Sequence, residues 1–323
     1  MRRLHLVLPA AVAALIAAMP VAKAQQDYPN KPIRLIIPFP PGGSNDVVGR
    51  MVATKLSERL GKQIIVDNRS GAGGVVGTEA AANAAPDGYT LVVVAISHAV
   101  NPWLYKTKFD AVKSFTPVAQ LAAGASVLAV NPGLPIKSVK ELLDYAKANP
   151  GKLNMAHAGV GSFQHLSSSL LMQLAKIDVV LVPFKGGSPA MIDVIGGHSH
   201  LVMGSLVQAT GHISGGKLRP LGIGSAKRLA GFPDWPTVAE AGVPGYDADN
   251  WWGIMGPAGL PKAVVDKLIT EISAVQDQPD IKATFTKEGA EIVKRTGDDF
   301  ARFIGTELGK WEKVVKDGNI KAE

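Results

Sequence analysis

Short apolar runs and amphipathic stretches alternate along most of the chain. Runs rich in branched apolar side chains at residues 33–39, 63–66 and 91–96 predict strands. Between them, residues 45–60 and 75–85 repeat their apolar positions with the 3.6-residue period of a helix. Strand–helix alternation is typical of βαβ units in a mostly parallel sheet.

The same alternation continues through the middle of the chain and ends in helices. Further strands are predicted at 153–156, 179–182, 200–203 and 218–223, and helices at 139–148, 163–175, 189–195 and 261–272. A final helix is predicted to start at a capping box formed by Thr296 and Asp299.

Two longer extended segments, 117–131 and 248–257, look like crossings between separate units. A length of 323 residues favours two domains over one. The pattern therefore predicts two α/β lobes.

The first 24 residues have the pattern of a cleaved secretory signal. Two arginines precede an apolar run at 6–19, and residues 22–24 form a small-x-small cleavage site. A membrane anchor is the alternative, but Pro9 and Pro20 interrupt the run, which is shorter than the ~20 residues of a span. We expect cleavage after Ala24 and export to the periplasm.

Composition excludes several kinds of chemistry. The chain has no cysteine, which rules out disulfides, thiolate catalysis and Cys-bound zinc. Removing residues 1–24 takes away three basic and no acidic residues and lowers the formal net charge from +7 to +4. No basic tract remains, so nucleic-acid binding is not expected, although a mild positive bias can steer anions.

Glycine-rich turns join predicted strands to predicted helices at 38–46, 69–77, 156–162 and 182–189. Free N–H groups and the positive end of the helix dipole make such a turn an anion site. A single turn is explained equally well as a capped βα connection without a ligand. Several of them at the carboxyl ends of strands predict a cleft that binds an anion through backbone N–H groups. The candidate helix caps are Ser44 or Asn45, Ser162 and Ser188.

Several longer motifs occur in a fixed order along the mature chain. They include Pro-Phe-Pro-Pro-Gly-Gly-x-x-Asp-x-x-x-Arg at 38–50, Asp-Asn-Arg-x-Gly-Ala-Gly-Gly at 67–74, Val-Pro-Phe-Lys-Gly at 182–186 and Gly-Pro-Ala-Gly-Leu-Pro at 256–261. This series resembles the Bug-type solute-binding proteins, which serve tripartite tricarboxylate transporters. The resemblance covers essentially the whole mature chain.

The resemblance implies an α/β, two-lobed periplasmic-binding-protein fold with two crossing, or hinge, segments. Lobe 1 is expected at 25–122 plus 249–323 and lobe 2 at 123–248, with the family domain spanning about 45–320. Such a protein is a monomer that captures a small carboxylate and delivers it to integral-membrane permease subunits. No cofactor, metal or catalytic residue is expected.

The resemblance also places the ligand between the turns at 38–46 and 159–162, with Phe39 as a wall. Backbone N–H groups, a hydroxyl and ordered waters would hold one carboxylate. The predicted ligand-binding residues are Phe39, Gly43, Ser44, Asn45, Asp46, Gly73, Ser97, Gly161, Ser162, Gly204, Ser205 and Trp252.

One position departs from the family pattern. An aromatic-Asp pair often follows the strand that ends near Met203, whereas this chain has Met203-Gly204. Ser205 and Gln208 nearby carry no charge, so we expect carboxylates with neutral or hydroxylated far ends to bind better than α-amino acids. Gly204 is also expected to leave room for a bulkier acid against Phe39.

Other functions have less support in the sequence. No serine lies in a Gly-x-Ser-x-Gly elbow, no phosphate-binding P-loop is present, and the turn at Gly71 and Gly73 has Val76 where a dinucleotide motif needs glycine. His198 and His200 form either a metal pair or ordinary exposed strand histidines. A ligand sensor for a membrane receptor would have the same cleft, and the pattern does not decide which of Trp251 and Trp252 faces it.

Overall fold

The computed structural model describes residues 28–318 and 320–322, so the predicted signal peptide lies outside the described residues. Within them the strands are β1 Ile33–Ile37, β2 Ile64–Asn68, β3 Thr90–Ala95, β4 Phe115–Val130, β5 Asn154–His157, β6 Val180–Pro183, β7 Leu201–Ser205, β8 Arg219–Ile223, β9 Asp249–Pro257 and β10 Ala290–Ile292. The α-helices are α1 Ser44–Leu60, α2 Val75–Ala82, α3 Ile96–Leu104, α4 Val139–Ala148, α5 Phe163–Ala175, α6 Gly187–Ile195, α7 Leu206–Ser214, α8 Lys262–Gln276, α9 Pro279–Lys287 and α10 Gly297–Asp317.

The strands form a mixed sheet in the order β2-β1-β3-β9-β4-β7-β5-β6, with β8 and β10 also paired to β4. β1 runs parallel to β2 and β3, and β5 runs parallel to β6 and β7. Each trio of parallel strands with its helices is one lobe, and this confirms the predicted α/β, two-lobed architecture.

Two antiparallel strands join the lobes. The first part of β4 pairs with β9, from Phe115 opposite Pro257 to Ala125 opposite Asp249. The last part, from Ser126 onward, pairs with β7 and β8. The two extended segments of the sequence are therefore these crossing strands, while the exact lobe boundaries stay a prediction.

Apolar layers cover both faces of the parallel strands. Ile33, Leu35 and Ile37 of β1 are buried in one layer, and Ile36 lies in the other. Successive strand residues point to opposite faces, so a strand covered on both sides reads as a continuous apolar run.

Three helices were missed by the periodicity: α3, α7 and α9. The first two begin at the residue directly after a strand, Ile96 after β3 and Leu206 after β7. An apolar strand that continues into an apolar first turn shows no change of pattern, because both segments are buried. No helix in the described ranges is both long and apolar enough to cross a bilayer.

The predicted helix caps are partly wrong. α1 starts after Gly43, with Ser44 and Asn45 inside its first turn, and α6 starts after Gly186, so Ser188 is not its cap. Thr296 is the N-cap of α10 but makes no side-chain capping bond, and the Asp299 N–H bonds to the Thr296 carbonyl instead. Gly186 caps α6 with a φ of +130°, a backbone angle that favours glycine, whereas Gly43 caps α1 with an ordinary extended backbone.

Candidate functional site

Five helices begin at one small cavity between the lobes. Its volume is about 40 Å³. The residues that line it from these helix starts are Gly43, Ser44 and Asn45 of α1, Ala95 and Ser97 of α3, Ser162, Phe163 and Gln164 of α5, Gly187 of α6, and Ser205 and Gln208 of α7. The first turn of a helix has unpaired N–H groups and the positive end of the dipole, so this convergence favours an anion.

All residues that line this cavity are uncharged. Phe39, Ala158 and Asn250 complete the wall. A bound anion would therefore be stabilised by hydrogen bonds from N–H groups and hydroxyls rather than by the charge of a Lys or Arg side chain.

Asp46 stabilises the glycine-rich turn at residues 38–46 instead of lining the cavity. Its carboxylate accepts hydrogen bonds from the Gly42 N–H at 2.9 Å, from Asn68 Nδ2 at 2.8 Å and from Arg50 Nε at 2.9 Å. Burial by itself raises the pKa of Asp46, but the hydrogen bonds from Arg50, Gly42 and Asn68 outweigh it and hold the pKa below its ordinary value. The ionised carboxylate thus fixes the turn that presents Gly43 and Ser44.

The glycine-rich turn at residues 159–162 leads into α5 and has left-handed backbone angles at Gly159 and Gly161. Ser162 caps α5, its Oγ accepting from the His165 N–H at 3.2 Å. Its own hydroxyl hydrogen remains able to donate to a ligand. The Gly161 N–H donates to His165 Nδ1 at 3.3 Å, and Gly161 does not line the cavity.

A buried histidine pair supports this turn. The rings of His157 and His165 stack with centroids 4.6 Å apart. Burial, followed by the proximity of His165, lowers the pKa of His157 to about 4, and burial lowers the pKa of His165. Both rings are therefore neutral near pH 7, and a neutral His165 can accept the Gly161 hydrogen bond.

Part of the cavity wall consists of neutral polar side chains. Gln164 Nε2 donates to Gln208 Oε1 at 3.4 Å, and Ser205 and Asn250 lie on the same wall. Gln164 and Asn250 were not predicted as site residues. Their positions along the chain gave a weak signal. Gln164 follows the Ser162 cap by two residues, and Asn250 lies two residues before Trp252, so the two share one face of β9.

The structure brings together most, but not all, of the predicted residues. Those on the cavity wall are Phe39, Gly43, Ser44, Asn45, Ser97, Ser162 and Ser205. Asp46, Gly73, Gly161, Gly204 and Trp252 are not on it.

Gly204 does not provide the expected room. A Cβ at this position would lie 2.6 Å from the Met191 Cε, so Met191 fills the space beside β7. Trp252 donates from Nε1 to Asn45 Oδ1 at 3.0 Å, whereas Trp251 donates to Glu307 Oε2 at 2.8 Å on the other face of β9. Trp252 is therefore the tryptophan on the cleft side, where it orients Asn45.

A larger outer chamber of about 590 Å³ adjoins the cavity. The two share Phe39 and Ala158, and Gly73 and Lys185 line the outer one. Tyr105, just after α3, donates from Oη to the Val160 carbonyl at 3.0 Å and so connects the lobes beside this chamber.

His198 and His200 do not belong to a group of three or more His, Cys, Asp or Glu residues that could hold a metal ion in the described part of the chain. His200 Nδ1 accepts from the Asn154 N–H at 2.8 Å, which joins the start of β5 to the residue before β7.

Comparisons with known proteins agree with this architecture. The family described as "Tripartite tricarboxylate transporter family receptor" matches residues 48–320. Protein BugT of Bordetella pertussis is 35% identical over 328 residues, covering 99% of each chain. R. palustris Rpa4515 with adipate has a TM-score of 0.89 at 33% identity, covering 92% of this chain and 100% of that one. MatC (Rpa3494) from Rhodopseudomonas palustris with bound malate has a TM-score of 0.84 at 33% identity, covering 89% and 100%.

Proposed function

The chain belongs to the tripartite tricarboxylate transporter receptor family, and we propose that it captures a small carboxylate between its lobes and delivers it to the permease subunits of such a transporter. The observation that carries this proposal is the convergence of five helix N-termini on one uncharged cavity. Two similar structures hold carboxylates, adipate and malate.

Binding rather than catalysis fits the site. The matched family is a receptor family. His157, His165 and Asp46 do not line the cavity, and Asp46 is hydrogen-bonded within its own turn, so none of them presents a general base to a ligand there. We propose that the protein has no catalytic activity and needs no cofactor.

The place of action follows from the N-terminal sequence. We propose that residues 1–24 are removed on export and that the mature protein works in the periplasm as a monomer. We also propose lobe boundaries at 122/123 and 248/249, which lie within β4 and just before β9.

Native mass spectrometry of protein purified from the periplasm tests the proposal. Gently purified protein should carry a small carboxylate that is released on denaturation. Ala158→Phe should lose the carboxylate because the large ring would fill the cavity. Ala148→Phe, on the exposed side of α4, should retain the carboxylate. Repeated absence of a carboxylate, or equal retention by both variants, would reject the proposal.

Uptake measurements test delivery. A strain that lacks this chain should lose uptake of the identified carboxylate, and the wild-type gene should restore it. Intact uptake together with a lost response to the ligand would indicate a sensor instead.

A further inference from the structure

We propose that the neutral wall formed by Gln164, Ser205, Gln208 and Asn250 selects monocarboxylates whose far end is an uncharged group that both donates and accepts hydrogen bonds, such as a primary amide or a hydroxyl. The inference rests on the proposed function and names the ligand class of the same cavity.

Each of these four side chains has a buried polar atom without a hydrogen-bond partner in the described residues: Gln164 Oε1, Ser205 Oγ, Gln208 Nε2 and Asn250 Oδ1. Their exposed fractions are 4%, 1%, 9% and 2%. Buried polar atoms in native proteins nearly always have partners. Four unpaired atoms on one cavity wall therefore indicate that a ligand supplies the missing hydrogen bonds.

The wall lines the same cavity as the helix starts that would hold the first carboxylate. Its residues belong to α5, α7, the end of β7 and β9, whereas Gly43 and Ser44 come from α1. Gly187 adjoins the glutamine pair: a Cβ there would lie 2.6 Å from Gln208 Oε1 and 2.9 Å from Gln164 Nε2. The lack of a side chain at Gly187 thus lets the two amides lie together on the wall.

The two glutamines offer one donor and one acceptor in either orientation. With Gln164 Nε2 donating to Gln208 Oε1, the free atoms are the Gln164 carbonyl oxygen and the Gln208 amide. If both amides are turned over, the roles are exchanged and the balance is the same. Asn250 Oδ1 adds an acceptor, and the Ser205 hydroxyl can do either.

This mixture does not suit a charged far end. A buried ammonium group would have no counter-charge, because the cavity lining contains no carboxylate. A second carboxylate only accepts hydrogen bonds, so it would face the carbonyl oxygens of Gln164 and Asn250 without a cation among the lining residues. An amide or hydroxyl satisfies donors and acceptors together.

Calorimetry with matched acids tests the inference on the full mature protein. The probes are malonate and malonamate, succinate and succinamate, and glutarate and glutaramate, each pair differing in one terminal group. In the pair whose length fits, the amide should bind at least about tenfold more tightly than the diacid. Equal or tighter binding of the diacid would overturn the inference but keep the proposed function. If no acid of any length bound, both would fall.

Gln208→Met shows whether the wall causes the preference. Methionine has a similar size but no donor or acceptor, so the affinity ratio of succinamate to butyrate should fall about tenfold. Gln173→Met, on the exposed side of α5, should leave the ratio unchanged. An unchanged ratio in Gln208→Met would overturn the inference, because a purely structural role lowers both affinities alike. Ser205→Ala gives a second measurement if Gln208→Met does not fold.

Discussion

Ser162 has two physical roles at the start of α5. Its Oγ accepts the His165 N–H, and its hydroxyl faces the cavity. Removing a serine N-cap costs about 1 kcal/mol of stability. Removing a hydrogen bond to a charged ligand costs roughly 1.5–3 kcal/mol of affinity.

We therefore expect Ser162→Ala to weaken carboxylate binding on the order of ten- to a hundredfold and to lower stability modestly. Ser138→Ala is the matched control, since Ser138 caps α4 by accepting from Glu141 N away from the cavity. Calorimetry and urea unfolding should show a similar stability loss in both variants but an affinity loss only in Ser162→Ala. An unchanged affinity would remove Ser162 from the binding site.

The neutral His157 makes stability depend on pH. Its pKa is lowered from 6.5 to about 4 in the folded protein, chiefly by burial. Between these values the unfolded chain binds a proton that the folded chain does not, so stability is complete above pH 6.5 and falls as the pH is lowered toward 4. Between pH 6.5 and 5 the loss is about 2 kcal/mol.

Urea unfolding at pH 6.5 and pH 5 measures this effect. His157→Gln should flatten the pH dependence by that amount, whereas His198→Gln at an exposed position should keep the wild-type dependence. The same slope in His157→Gln and the wild type would mean that His157 is protonated in the folded protein.

At the scale of elements, the contact between α3 and the turn at residues 159–162 favours the closed arrangement. Tyr105 Oη donates to the Val160 carbonyl, and a Cβ at Gly161 would lie 2.9 Å from Leu104 Cδ1. These groups come from different lobes, so the contacts depend on closure. A glycine at 161 lets the helix end approach this closely.

Tyr105→Phe should weaken ligand binding several-fold, because the lost hydrogen bond of about 1 kcal/mol stabilises the closed state to which the ligand binds. Tyr145→Phe on the surface of α4 should bind as the wild type does. Association and dissociation rates measured by stopped flow should place most of the change in dissociation. An equal affinity in both variants would show that this bond does not contribute to closure.

At the scale of the whole molecule, one ligand must contact helix starts from both lobes, which the strands β4 and β9 connect. We expect the ligand-free protein to open about β4 and β9 and to close on binding. Small-angle scattering should then show a smaller radius of gyration with saturating ligand. Ala158→Phe, with its blocked cavity, should not compact, and an unchanged radius in the wild type would indicate a rigid pocket.

Interactions between residues close together in the chain explain which strands, helices and turns of this protein the sequence predicts. The two extended segments at 117–131 and 248–257 located β4 and β9, and α4 and α5 match the predicted ranges 139–148 and 163–175. Glycine and serine at strand–helix junctions indicated the anion-binding turns, since these residue types determine backbone angles and capping over a few positions. The family motifs predicted the two-lobed receptor fold.

Only the tertiary structure decided how the site is assembled. Gln164, Gln208 and Asn250 are far apart in the chain and meet because α5, α7 and β9 converge, which no local pattern contains. Asp46 turned out to bind its own turn rather than the cavity, and Met191 occupies the space beside Gly204. The sequence by itself determined most of the strands and helices, because these depend on neighbouring residues, but it did not show the helices that begin directly after a buried strand. The direction and partners of each polar side chain depend on packing between distant elements, and only the folded chain determines them.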